Sequence, residues 1–171
     1  INSIRGFNET QSINILKNFC NILKNRGPDS KGYWYDLKDE IFLSHTRLSI
    51  NDLSDNGSQP MTNSKKNLVI IFNGEIYNHF FLRNTYLKKY NIKWRSVSDT
   101  ETILYMIDFY GLEKTLALSE GMFSFCLYNR NLKKAFFVRD KMGEKPLYYG
   151  FVNNSIVFGS QLKVFNYFPS F

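Results

Sequence analysis

The stretch LVIIFNGEIYN, Leu68 to Asn78, decides how this sequence folds. Its apolar run suits a strand covered on both faces. The run then stops at Asn73-Gly74-Glu75. Asn-Gly is a favoured turn dipeptide, so the local pattern reads as a buried strand ending in a turn. Around this stretch the chain shows both strand and helix texture.

Upstream, the spacing predicts a helix over 8–25. Asn8 can cap it with Gln11 three residues later, and Leu16, Phe19, Cys20 and Leu23 recur at helical intervals. Arg26-Gly27-Pro28-Asp29 ends that helix, because proline cannot continue it. From Gly32 to Ile50 the texture is strand. There Ile41, Leu43, His45, Arg47 and Ser49 share one face. A loop rich in Asp, Asn, Gly, Ser and Pro (NDLSDNGSQPM) leads back to the opening stretch.

Downstream, 78–89 reads as helical. Ser98-Asp99-Thr100-Glu101 has capping-box form before an apolar face of Ile103, Leu104, Met106, Ile107 and Tyr110. Gly111 closes that helix, and a short helix over 112–118 follows. The last third is strand-rich: MFSFCLYN, KKAFFVRD, PLYYGFV and SIVFGS. Turns at Asn129-Arg130-Asn131, Met142-Gly143 and Asn153-Asn154 predict an antiparallel meander. Strands grouped between flanking helices predict an α+β layered domain.

Composition narrows the function. The 171 residues are 43% hydrophobic and 17% aromatic, enough for one sizeable core. No apolar run approaches the roughly 20 residues that span a bilayer, and the polar-studded N-terminus does not resemble a signal peptide. Cys20 and Cys126 lie in apolar settings, which points to buried thiols in a reducing, cytoplasmic compartment. Two histidines, His45 and His79, without a close cysteine pair argue against a zinc site. The formal charge is +7, but lysines and arginines never run longer than a pair, which argues against a nucleic-acid surface.

RGPD (26–29), HTRLSINDLS (45–54), GSQPM (57–61), FNGEIYN (72–78), SDTE (98–101), EGMFSFCLYN (120–129), RDKMGEKPLYYG (139–150) and FGSQLK (158–163) occur together and in order. In combination they resemble the N-terminal, class II glutamine amidotransferase domain of asparagine synthetase and its relatives, across nearly the whole chain. The resemblance implies an N-terminal-nucleophile hydrolase fold, a four-layer αββα sandwich of two antiparallel sheets. It implies glutamine as substrate, with Arg47 holding the α-carboxylate by a charge-assisted pair of about 1.5–3 kcal/mol. Leu48, Ser49, Ile50 and Asn51 are expected on the same pocket wall. Asn73 and Gly74 match the oxyanion hole, where one donor contributes roughly 2.7–4 kcal/mol to the transition state. Glu75 is expected at the glutamine amide or amine, and Asp99 at the α-ammonium. Asp99 also suits a helix's first turn on structural grounds alone.

The resemblance breaks at the start. Family members carry a Cys nucleophile that uses its own α-amine as base. Aligned on Ile4, Gly6 and Phe7, this chain has Asn2 at that position and Ser3 after it. A carboxamide is not a nucleophile, and losing one outright costs a factor of roughly 10⁶ in turnover. Three origins stay open: a relative that lost glutaminase activity and uses free ammonia or another amine, a replacement of the native start during cloning, or an upstream start that is processed away. The pyrophosphate loop of the synthetase half is not seen. The expectation is therefore the front domain of a longer synthetase, with no cofactor of its own and with ATP and Mg in the partner domain. The oligomeric state is not legible, and a homodimer stays open.

Overall fold

The computed structural model describes residues 9–49, 52, 54–152 and 155–167. Among these residues eight strands form three antiparallel groups: β1 (Ser30–Asp36) with β2 (Ile41–Arg47); β3 (Met61–Thr62), β4 (Leu68–Ile76), β5 (Gly121–Asn129) and β6 (Lys134–Arg139) in that order; and β7 (Tyr148–Val152) with β8 (Ser155–Gly159). The helices are α1 (Glu9–Ile22), α2 (His79–Leu82, continuing as a π-turn and a 3-10 turn to Tyr90), α3 (Asp99–Tyr110) and α4 (Leu112–Leu118).

These elements stack in four layers, α-β-β-α, and strand alternation decides which side chain faces which layer. Leu68, Ile70, Phe72 and Ile76 of β4 join Phe123, Phe125 and Leu127 of β5 on one face. Against them pack Leu82, Ile103, Leu104 and Met106 from the helices. On the other face Val69, Cys126 and Tyr128 meet Ile41 and Leu43 of β2. Phe158 of β8 packs edge-on against Phe137 of β6, with ring centroids 4.7 Å apart. Among the described residues the second β layer is two hairpins, with no ladder joining them. Beyond it lies α1, whose Ile15 is buried with Val152, Val157, Val164 and Phe165.

Several local expectations are corrected. Of the two readings open at Asn73-Gly74, the local turn is the one excluded: β4 runs through both to Ile76, because each residue from Leu68 to Ile76 finds a partner on β5. Long-range pairing overrides the dipeptide's local preference. The last strands are not one meander. β5 and β6 form a hairpin, but the chain after β6 crosses to the other β layer, and Met142-Gly143 turns within that crossing. Ser98 caps α3 by accepting from Thr100 N–H, yet Glu101 does not reciprocate to Ser98. Its fully buried carboxylate instead accepts from the N–H groups of Arg95 and Ser96 and from the Ser96 hydroxyl. Asn8 and Asn153-Asn154 lie outside the described residues.

Candidate functional site

The site grows from the free side of β4. β3 pairs with Val69 and Ile70, and among the described residues no strand pairs with the rest of β4 on that side. In an antiparallel strand, alternate residues direct their peptide groups to opposite neighbours. Phe72, Gly74 and Ile76 direct theirs away from β5. Phe72 N–H donates to Gln59 Oε1 at 2.6 Å, and Ile76 N–H donates to Asp99 Oδ2 at 2.9 Å. Gly74 stands between them. Its cross-strand partner Phe123 is engaged with Asp140 through both N–H and C=O, which leaves the Gly74 N–H unclaimed by the sheet. Glycine is required there: φ is +147°, and a Cβ would run into the Met122 carbonyl and Phe123 Cα on β5.

That N–H opens on a cavity of about 350 Å³ whose lining includes Arg47, Leu48, Asn73, Gly74, Glu75 and Asp99. Arg47 and Asp99 are both under a tenth exposed. Arg47 donates to the Ser54 carbonyl at 2.7 Å and to the Asp52 carbonyl, while Asp99 accepts from Ile76 and Thr100 N–H. These bonds orient the two groups without neutralising them. Among the described residues neither one forms a salt bridge. A buried cation and a buried anion, unpaired in one cavity, complement a zwitterion. Asn73 Nδ2 adds a buried donor with no partner among the described residues.

Comparison with known proteins decides what this arrangement belongs to. The family model described as glutamine amidotransferase domain matches residues 1–171. The chain belongs to that family. This amidotransferase domain is 32% identical to a putative glutamine-hydrolysing asparagine synthetase 2 of Methanocaldococcus jannaschii, over 95% of this chain and 34% of that protein. It is 38% identical to the glutamine-hydrolysing asparagine synthetase 1 of Bacillus subtilis, over 87% of this chain and 23% of that one. It therefore spans no more than about a third of either relative's length. In fold it is similar to the glutamine phosphoribosylpyrophosphate amidotransferase of B. subtilis, with a TM-score of 0.64 at 19% identity, over 75% of this chain and 29% of that one.

Not every expected wall residue reaches the cavity of the amidotransferase domain. Ser49 is not among its lining; its N–H is drawn to Asp29 Oδ2 at 2.6 Å, so the RGPD aspartate braces the exit of β2. Ile50, Asn51 and Asn2 lie outside the described residues.

Other lining residues escaped the sequence reading. Asp52 accepts from Ser54 N–H, the Ser54 hydroxyl and Val97 N–H, tying the Arg47 loop to the approach of α3. Burial alone would raise its carboxyl, but these bonds and the nearby Arg47 hold it below the usual range. Lys145 reaches the cavity from a loop gathered on Asp140, which accepts from Phe123, Met142, Glu144 and Lys145 N–H. Against the upward push of burial, those amides hold Asp140 down at about 2. The remaining signal was His45, on the Arg47 face of β2, whose Nε2 meets the Phe72 carbonyl at 3.1 Å. A second, apolar chamber of about 180 Å³ lies behind the first. His45, Phe72 and Asn73 line both.

Proposed function

We propose that the cavity binds free L-glutamine and that the domain serves an asparagine synthetase-like protein as its ammonia-supplying module. In this reading Arg47 takes the α-carboxylate, Asp99 with Glu75 takes the α-ammonium, and Asn73 Nδ2 with Gly74 N–H takes the side-chain oxygen. The observation that carries it is the convergence on one cavity of a cation and an anion that form no salt bridge among the described residues, an Asn73 amide without a partner among them, and a Gly74 N–H that the sheet leaves unclaimed. ATP and magnesium would act in a synthetase domain that uses the ammonia for amide formation.

Isothermal titration with L-glutamine tests the binding half. Arg47→Ala should weaken affinity by roughly tenfold to a hundredfold, the scale of a charge-assisted pair. Unchanged affinity would remove Arg47 from the site.

Asn2, at the position matched to the family's Cys, favours a second reading in which glutamine is held and not cleaved. A chain beginning at residue 2 and carrying Asn2→Cys separates the two. Ammonia release from glutamine by that variant alone would mean that the nucleophile is the only missing part. Silence with intact glutamine binding would mean that the rest of the machinery has also been lost.

A further inference from the structure

Two buried polar atoms of the site lack a hydrogen-bond partner among the described residues, and they are chemical opposites. Asn73 Nδ2 is a donor; the other atom is His45 Nδ1. The Phe72 carbonyl 3.1 Å from His45 Nε2 can only accept, so Nε2 carries the proton and Nδ1 is a bare acceptor. Burial is the largest influence on this ring and pushes it down to about 4; Arg47 pushes the same way, and the Phe72 carbonyl pulls back. The imidazole is therefore neutral at pH 7.

Both residues line both chambers. Asn73 is an odd-numbered residue of β4, on the face that meets the hairpin layer carrying His45. The other unpartnered buried atoms, on His79, Asp108 and Gln161, line neither chamber. A donor and an acceptor without partners among the described residues, on two residues that line the same chambers, suit a ligand with an acceptor and a donor on one carbon, as in a primary carboxamide.

We propose that His45 Nδ1 accepts a hydrogen bond from the carboxamide nitrogen of the bound amino acid while Asn73 and Gly74 hold its oxygen, so that His45 selects amide over carboxylate or ester. This rests on the glutamine reading above. A carboxylate or ester brings no N–H and leaves Nδ1 buried and unmatched.

The test uses the 171-residue chain and two ligands, L-glutamine and L-glutamate γ-methyl ester, which keeps the carbonyl and loses the N–H groups. Two variants divide the roles of the ring. In His45→Gln the side-chain nitrogen still reaches the Phe72 carbonyl, but no acceptor stands at the Nδ1 position. His45→Asn keeps an acceptor there and loses the Phe72 contact. The unmodified chain should prefer glutamine by about tenfold or more, as a site built around a hydrogen bond rejects the analogue lacking it. His45→Gln should bring the two ligands to within about twofold by weakening glutamine alone, and His45→Asn should keep most of the preference. A preference that survives intact in His45→Gln overturns the proposal, as does equal binding of both ligands by the unmodified chain. If that chain binds neither ligand, the glutamine reading fails and this inference fails with it.

Discussion

His45 folds as a neutral ring, and acid should find it. Its pKa is about 4 in the fold against about 6.5 when unfolded, so between these values the unfolded chain binds a proton that the native chain refuses. Stability from this group is complete above pH 6.5 and falls as pH drops toward 4. Between pH 7 and 5 the loss should be about 2 kcal/mol. Urea denaturation at the two values measures it, and His45→Gln should flatten the difference. Gly74 gives a second expectation at this scale. Gly74→Ala places a methyl group against Met122 and Phe123 at φ +147°, and should lower stability by roughly 1–3 kcal/mol in the same denaturation assay. The sequence showed His45 and Arg47 on one face of a strand. It did not show which carbonyl the ring meets, because Phe72 lies 27 residues away and enters only when the layers close.

The N-terminus of α3 shows how an element is held in place to present one carboxylate. Glu101 gathers Arg95 and Ser96 from one side. From the other, Arg83 donates to Thr102 Oγ1 and to the carbonyls of Ser96 and Ser98, and its guanidinium lies 3.8 Å from the centre of the Trp94 ring. Asp99 is set between these two clamps. Glu101→Ala leaves the buried Ser96 N–H and hydroxyl without their acceptor, while half-exposed Arg95 can turn to solvent, and should cost about 1–3 kcal/mol. Thermal denaturation reads that loss, and titration with glutamine should show weaker binding as Asp99 loses its support. Arg83→Lys cannot reproduce the three-point fork and should fall between the native chain and Glu101→Ala. The bounds of α3 and α4 were legible because Ser98 and Gly111 are local stop and start signals. The end of β4 was not, since Asn73-Gly74 carries the opposite local signal and only β5 corrects it.

Across the whole molecule, the layer order could not be read from periodicity. It follows from which face of the central sheet receives helices and which receives hairpins, and only the resemblance to a known family supplied it in advance. The cysteines report on that packing. Cys20 on α1 and Cys126 on β5 are buried in different layers, and burial raises both thiols, so a thiol-reactive dye should label neither at neutral pH until the chain unfolds. Labelling of one before the other would show that the layers separate independently. The flank of β4 that no described strand covers has a further meaning for how copies of the chain behave beside one another. A bare row of peptide groups invites a foreign strand to add to it, the usual route to aggregation. Here Gln59 and Asp99 stopper that row on either side of Gly74. Among the described residues the gap between them is one residue long: room for a single small carbonyl, and too short to template another chain.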